Sequence, residues 1–244
     1  MTRRKTLLRY CKEHGEYESQ TAEILGRKIF IGCPQCEAEK TKKELEDLKQ
    51  QEQLAIEKDY INRGIEPEFF NATLENFIPE NASEQKALEA AQLMASGQIK
   101  KILLIGQNGV GKTHLVSALA KLKKGRVLTM FQFSSLLRAG YNRKKTEIET
   151  IEDELLSYPL VAIDEYGLSK CSEMELNSLA YLVDKCHTRN KDIVLVSNIF
   201  TSKSAKSDAI ENYIPNAVIS RFRCNSVIVE VEGRDRRRAT FTTL

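Results

Sequence analysis

The segment that most constrains this chain is an eight-residue stretch that matches G-x-x-x-x-G-K-[ST]. It follows the apolar run Lys101–Ile105 and opens the amphipathic stretch HLVSALAKL, so it is predicted to connect a strand to a helix. In such a loop, glycines allow backbone N–H groups to surround phosphate oxygens, and the helix N-terminus adds partial positive charge. The pattern favours a phosphate-binding loop over a tight turn without a ligand. Its residues are Gly106, Gln107, Asn108, Gly109, Val110, Gly111, Lys112 and Thr113.

Three side chains at the end of this loop are expected to meet a nucleotide. Lys112 would reach the β- and γ-phosphates of ATP, and Thr113 would supply an oxygen ligand to Mg²⁺. His114 comes next and would lie close to the phosphates; the alternative is an ordinary residue on the helix surface. The loop therefore predicts ATP and Mg²⁺ as cofactors.

Two acids end the apolar run LVAIDE and supply the second half of the predicted site. The carboxyl ends of parallel strands meet at one edge of a sheet, where ligands bind. Asp164 is expected to hold Mg²⁺ through its water shell, and Glu165 to polarise the attacking water. Acids at strand ends are common, so the pair gains its meaning from the phosphate-binding loop. An intact Glu165 favours hydrolysis over nucleotide binding alone.

Two further polar residues are candidates for the same site. Asn198 ends the run VLVSN and is expected to orient the water or touch the γ-phosphate; the alternative is a turn residue at a strand end. Arg221, in the sequence SRFR, is expected to reach the γ-phosphate on a neighbouring copy of the chain. The alternative for Arg221 is a surface arginine.

Apolar runs alternate with helix-length segments along most of the chain. Runs of this kind are buried on both faces, which is typical of a parallel sheet covered by helices. The predicted class is α/β, a P-loop nucleoside triphosphatase (NTPase) of the ASCE type. The predicted strands are KKILLIG, RVLTMF, LVAIDEY, DIVLVSN and SVIVEVE. The predicted helices cover residues 83–96, 112–121, 134–157, 172–188 and about 208–224.

The N-terminal part contains two pairs of metal-ligating residues, each with a two-residue gap. Three thiols and one imidazole at this spacing predict a structural, tetrahedral Zn²⁺ site; the alternative is loosely placed thiols and a surface histidine. Residues 1–36 are expected to be loop-rich around this zinc knuckle, 37–66 to form a polar connector helix, and 67–244 to form the ATPase domain. The expected ligands are Cys11, His14, Cys33 and Cys36.

Composition adds weaker constraints. The charged start of the chain is not followed by an apolar segment, and no apolar run is long enough to span a bilayer. We therefore expect a cytoplasmic protein without a membrane association. The net charge of +3 is small, but basic residues concentrate at both ends. Such ends suit a phosphate-bearing partner, or are simply solvated.

Taken in order, these motifs resemble the AAA+ helicase loaders of the DnaC type over roughly residues 55–244. The resemblance implies an ATPase that forms a homo-oligomer when ATP is bound and delivers a DnaB-type replicative helicase onto single-stranded DNA. The zinc knuckle resembles those of phage and prophage relatives. Besides the site residues, the resemblance is carried by Asn62-Arg63-Gly64-Ile65, Pro67 and Leu74-Glu75-Asn76-Phe77.

The resemblance also implies roles for individual residues. Arg221 corresponds to an arginine finger, and Arg238, among three neighbouring arginines, to the sensor-2 arginine that contacts the nucleotide. Arg138 and Tyr141 fall on the helix that contacts DNA in this family, and Ser172 is expected to line the same DNA-binding pore. A basic and aromatic mixture suits phosphates and stacked bases. The alternative is an ordinary solvated helix face.

Two other functions stay open. An IstB-like transposition helper has a very similar ATPase core and would act on a transposase and duplex DNA. A non-catalytic DNA-binding adaptor would use zinc and nucleotide only as structural ligands. The presence of Glu165 favours an ATPase over the non-catalytic adaptor, because an adaptor does not need a residue that activates water.

Overall fold

A computed structural model describes residues 6–24, 27–30, 32–141, 151, 153–166, 172–198, 218, 220, 222 and 225–237. The chain divides into two compact units, Met1–Lys58 and Asp59–Leu244. Among the described helices, none has both the length and the apolar composition that crossing a membrane requires.

The first unit contains a three-stranded antiparallel sheet where loops were predicted. Its strands β1 (Thr6–Cys11), β2 (Gly15–Ile24) and β3 (Arg27–Phe30) pair in chain order. Gly15, at φ 77, closes the tight turn between β1 and β2. Most residues of β2 are polar, so the usual apolar alternation of a strand is missing from the sequence.

Helix α1 (Pro34–Asn62) begins in the first unit and ends in the second. It starts three residues before the predicted position, because proline is well accommodated in the first turn and Glu37 N–H donates to Cys33 O. None of its 29 residues is buried. The helix is therefore supported mainly by strong helix formers and by pairs such as Lys40 with Glu44.

The second unit confirms the predicted α/β class. Five parallel strands lie in the order β5-β6-β7-β4-β8. The strands are β4 (Lys101–Gly106), β5 (Arg126–Thr129), β6 (Leu160–Tyr166), β7 (Asp192–Ser197) and β8 (Ser226–Val231). The helices are α2 (Ala82–Ala95), α3 (Lys112–Leu122), α4 (Met130–Tyr141) and α5 (Glu173–Thr188), with a short 3-10 helix at Pro67–Phe69.

Two apolar clusters cover the two faces of this sheet. One joins α2 and α3 to the sheet, and the other joins α4 and α5 to it. Every residue of β4 and of β7 is buried, which explains why these strands read as continuous apolar runs. The sheet is therefore a rigid support for the loops at its carboxyl edge.

The predicted strand RVLTMF is shorter in the structure, because a helix cap lies inside it. Gln132 N–H donates to Thr129 Oγ1 at 3.1 Å, and Thr129 N–H donates to Gln132 Oε1 at 2.9 Å. This reciprocal capping box ends β5 and begins α4 at Met130. The predicted helix 134–157 is represented by α4 and by helical residues 153–157; residues 142–150 lie outside the described part.

The segment after α1 is fixed to α3 and the turn after it by a buried arginine. Arg63 donates to Ala120 O at 2.7 Å and to Gly125 O at 3.2 Å, and pairs with Asp59. Gly64 follows at φ 80, and a Cβ there would collide with the carbonyl of Val127. These contacts explain the Arg63-Gly64 pair that the family resemblance drew attention to.

Candidate nucleotide and metal sites

The predicted phosphate-binding loop leaves β4 at Gly106 and enters α3 at Lys112. Three of its glycines have positive φ, with Gly109 at 81° and Gly111 at 93°. A Cβ on Gly111 would come within 2.6 Å of the Phe77 ring, and one on Gly109 would overlap the carboxylate of Asp235. The loop therefore needs glycine both for its backbone conformation and for close packing on two sides.

Lys112 is held inside the loop. Its side chain is almost completely buried, and Nζ donates to Gly106 O at 2.9 Å and to Gln107 O at 2.6 Å. Burial lowers the pKa of this ammonium to about 8. A phosphate chain in the loop would offer stronger acceptors than these two carbonyls, so the lysine is in position to exchange its partners.

Thr113 and Asp164 meet as the sequence predicts for a magnesium site. Thr113 Oγ1 donates to Asp164 Oδ2 at 2.9 Å, and Asp164 is buried. Burial raises the pKa of the Asp164 carboxyl. A hydroxyl and a carboxylate beside a phosphate loop are the hard oxygen ligands that suit Mg²⁺. The residues present therefore fit this cation.

Glu165 leaves the regular course of its strand. The pairing of β6 with β7 shifts between Ile163 and Tyr166, and Glu165 has φ 59. Its N–H donates to Asp164 Oδ1 at 2.6 Å, and its side chain is exposed. A bulge of this kind redirects a side chain that would otherwise alternate into the core. It turns the Glu165 carboxylate toward solvent next to the buried Asp164.

One pocket of about 270 Å³ unites most of the predicted residues. Its wall includes Lys112, Thr113, His114, Asp164, Glu165 and Asn198. The ring of His114 lies 5.4 Å from that of Phe77, and its Nε2 is 3.0 Å from Thr73 O. His114 thus contacts the segment before α2 as well as lining the pocket.

The pocket also contains residues that motif reasoning did not assign. Phe69 and Phe77, from the segment before α2, line it together with Arg236 and Arg237. Both arginines are neighbours of Arg238, the arginine to which the family resemblance gives the sensor-2 role. Arg238 lies outside the described residues, whereas Arg237 reaches the pocket wall.

Arg236 attaches the segment after β8 to the rest of the site. Its guanidinium donates to the carboxylate of Glu84 at 2.5 Å and to Ile78 O at 2.8 Å, and lies 4.9 Å from the centre of the Phe77 ring. Its backbone N–H donates to Gly109 O at 3.1 Å. Arg236 therefore links α2, the phosphate-binding loop and the segment that carries Arg237.

The residues predicted to contact DNA have other partners in the structure. Arg138 pairs with the buried carboxylate of Glu175 at 2.7 Å, although its side chain is 65% exposed. Ser172 caps α5, because Glu175 N–H donates to its hydroxyl in a capping box. Tyr141 is the last residue of α4, and its side chain lies outside the described part, as does the whole of Arg221.

The four predicted zinc ligands come together in the first unit, with all ligand atoms within 4.8 Å of one another. A tetrahedral Zn²⁺ with ordinary bond lengths separates its ligand atoms by about 3.5–3.8 Å. The Sγ atoms of Cys11 and Cys36 are 3.4 Å apart, and His14 Nδ1 lies 3.3–3.8 Å from the three thiols. Hydrogen bonds, the largest from the Glu13 backbone, lower the pKa of the Cys11 thiol to about 6, whereas the hydrogen bond that Cys36 shares with Cys11 raises the pKa of Cys36 to about 12. The donor set fits zinc.

Comparison with known proteins agrees with this architecture. The sequence profile described as IstB-like ATP binding protein matches residues 41–242. The solved structure of the DnaC helicase loader superposes with a TM-score of 0.58 at 20% identity, covering 68% of this chain and all of that one. That similarity concerns the fold.

Sequence relatives of three kinds each match a little under two thirds of the chain. The uncharacterized protein YdaV of Escherichia coli K12 is 26% identical over 62% of the chain, and the replicative helicase loader DnaC of Buchnera aphidicola is 26% identical over 66%. A putative ATP-binding protein of insertion sequence IS232 from Bacillus thuringiensis is 27% identical over 64%. The matches span 64%, 66% and 62% of the relatives' own lengths, slightly less than two thirds. With the profile covering most of its residues, the chain belongs to the family of IstB-like ATP-binding proteins, which includes DnaC-like AAA+ proteins.

Proposed function

We propose that this protein hydrolyses ATP to load a DnaB-type replicative helicase onto single-stranded DNA during DNA replication. The observation that carries the ATPase part is the single pocket lined by Lys112, the Thr113–Asp164 pair and Glu165. Binding alone requires only the loop and its lysine. Hydrolysis also needs a group that activates water, and the exposed carboxylate of Glu165, next to the buried Asp164, can serve as this group; nucleotide binding alone does not need it.

Each residue has a distinct task in this reaction. Thr113 and Asp164 would hold Mg²⁺, which supplies charge neutralisation at the phosphate oxygens. Lys112 moves from its two carbonyl partners to the β- and γ-phosphates. Glu165 accepts a proton from water as the oxygen of that water bonds to the γ-phosphorus. The bond from that phosphorus to the bridging oxygen breaks, and ADP and phosphate leave.

Further groups complete the site at its open side. Asn198 lines the pocket at the end of β7 and would orient the attacking water. Arg237 lies on the same wall and would contact the nucleotide from the segment after β8. Arg221 would act on the γ-phosphate bound by a neighbouring copy. We therefore propose that the active form is an ATP-dependent homo-oligomer.

The ATPase proposal is tested by Glu165→Gln. Loss of a general base slows a reaction by about 100-fold to 10,000-fold, so turnover should fall at least about 100-fold while ATP still binds. Glu173→Gln, an equally exposed change at the start of α5, is the matched control and should leave turnover unchanged. If Glu165→Gln turns over ATP like the wild type, the protein is better described as a non-catalytic nucleotide-binding adaptor.

Helicase loading is supported by the DnaC relative, and transposition by the IS232 relative and the family description. Reconstitution of the protein with purified candidate partners distinguishes the two functions. With ATP, the full chain should capture a DnaB-type helicase and increase the amount of helicase bound to a single-stranded DNA circle. Capture of an IS21-type transposase and duplex DNA, without any helicase transfer, would favour the transposition function. A loader of this kind works in the cytoplasm, where the chromosome lies.

We also propose that Arg138 and Tyr141 contact single-stranded DNA. The Arg138 guanidinium remains well exposed while it pairs with Glu175, so its other N–H groups can donate to a phosphate on the outer side of α4. An aromatic side chain one turn further would stack on a base. Ser172 would contribute from the start of α5, next to Glu175.

We propose that Cys11, His14, Cys33 and Cys36 bind one structural Zn²⁺. Four protein ligands leave no open coordination position, so the ion would stabilise the small first unit rather than catalyse a reaction. Among the residues of this unit whose burial is described, Cys33 is the one buried apolar side chain, and metal binding would supply part of the unit's folding free energy.

A further inference from the structure

The imidazole of His14 has different partners on its two nitrogens. Nδ1 faces the thiols, at 3.3 Å from Cys36 Sγ and 3.7 Å from Cys11 Sγ. Nε2, on the opposite side of the ring, lies 3.0 Å from Oε1 of Glu39. The ring is thus held between the predicted metal ligands and a carboxylate that belongs to neither motif.

We propose that Glu39 is the outer-shell residue of this metal site, accepting the Nε2–H of His14 and so presenting Nδ1 to the metal. This inference rests on the zinc site proposed above. A neutral imidazole carries its proton on one nitrogen, and only the other can bind a metal. A carboxylate at Nε2 keeps the proton there, which leaves the lone pair of Nδ1 among the thiols. Glu39 is a positioning residue, not a ligand.

The same contact connects the metal to helix α1. Cys33 directly precedes the helix, Cys36 lies in its first turn, and Glu39 lies one turn further on the same side, since residues three apart share a helix face. Cys11 is the last residue of β1, and His14 lies in the turn after it. No residue of α1 is buried, so packing does little to hold its first turns. The metal and Glu39 together attach these turns to the β1–β2 hairpin.

A second acid near His14 defines the competing arrangement. Glu13, His14 and Glu39 also have their ligand atoms within 4.8 Å of one another. If a second cation bound there, Nε2 would be a ligand and could not donate to Glu39. Both glutamates are exposed, and exposed carboxylates approach one another without a metal in many proteins. The short Nε2–Oε1 distance favours the hydrogen bond, and the stoichiometry of binding decides between the two.

The test measures Zn²⁺ binding by the purified full chain in competition with a chromophoric chelator. Outer-shell substitutions typically weaken metal binding about 10-fold to 100-fold, so Glu39→Ala should lie in that range. Glu39→Gln should lose less affinity, because its amide oxygen still accepts the Nε2–H. Glu44→Ala, which removes an exposed acid from the same helix, is the matched control and should bind like the wild type. Hydrogen exchange of the first turns of α1 should be faster in zinc-loaded Glu39→Ala than in zinc-loaded wild type.

Three results would overturn the proposal in different ways. A wild-type chain that binds no Zn²⁺ removes both the metal site and the role of Glu39. A wild type that binds one ion, with Glu39→Ala equally tight, keeps the metal site and removes only the outer-shell role. Binding of two ions, with Glu13→Ala losing one, would make Nε2 a ligand and contradict the hydrogen bond.

Discussion

The ion pair between Glu84 and Arg236 holds the segment after β8 on the nucleotide-binding domain. Glu84, in the first turn of α2, is fully buried, and its carboxylate also accepts the N–H of Glu80 at 2.7 Å. The Arg236 side chain is 29% exposed. The substitution Arg236→Met keeps much of the apolar length of the side chain but removes its charge, which leaves a buried carboxylate without its cation.

The burial of Glu84 sets the size of the expected loss. Removing one partner of a buried ion pair costs about 3–5 kcal/mol, and the partial exposure of Arg236 favours the lower end of that range. In a Glu84→Gln background the same substitution leaves a neutral amide, and the cost falls to that of an unmade hydrogen bond, about 1–3 kcal/mol. The expected coupling between the two positions is therefore about 1–2 kcal/mol.

Urea unfolding of the wild type, both single variants and the double variant measures this coupling. Arg236→Lys is the matched control: it keeps the charge beside Glu84 but loses the planar guanidinium, so it should destabilise less than Arg236→Met. Equal slopes of unfolding free energy against urea are needed for the comparison. If Arg236→Met lowers the free energy of unfolding by the same amount in the wild-type and Glu84→Gln backgrounds, the unpaired charge of Glu84 does not cause the destabilisation, and the explanation is wrong.

Two further predictions concern ligand binding. Lys112 has a pKa of about 8 without nucleotide. Phosphates should raise it, so ATP binding should take up protons increasingly between about pH 7 and pH 9, and affinity should fall as the pH rises through this window. Calorimetry in buffers with different ionisation enthalpies measures the uptake, and a value of zero at the upper pH would contradict the explanation. Tyr141→Ala should weaken single-stranded DNA binding at fixed salt by about 5-fold to 150-fold, since a stacked base contributes about 1–3 kcal/mol. Tyr181→Ala, which removes an exposed aromatic ring from α5, is the control and should bind DNA like the wild type. If Tyr141→Ala also binds like the wild type, Tyr141 does not contact DNA.

The sequence predicted those parts of the site that depend on local pattern. The phosphate loop needs glycines, a lysine and a hydroxyl in fixed order, and the strand before it must be apolar because both its faces are covered. Asp164 and Asn198 could be added because parallel strands end at one edge. Each of these inferences uses neighbours in the sequence or a general rule of sheet topology.

Other parts could not be read in this way because they depend on distant partners. Glu84 and Arg236 are 152 residues apart, and nothing in the helix-like pattern of residues 83–96 marks Glu84 as buried. The bulge at Glu165 follows from the pairing of β6 with β7, which motif reasoning does not describe. By contrast, the Thr129–Gln132 capping box is present in the sequence as T-x-x-Q, a pattern typical of a helix start. The β-branched and aromatic residues around it favour a strand, so the predicted strand was too long.

The two glycines of the loop that contact other segments connect nucleotide binding to the rest of the domain. Gly111 packs against Phe77, and Gly109 against Asp235, while Arg236 joins both of these segments to α2 through Glu84. Any shift of the loop would therefore press on Asp235 and, through it, on the residues next to Arg237. If phosphates shift the loop, we expect the segment after β8 to move with it, which would couple nucleotide binding to the position of this segment.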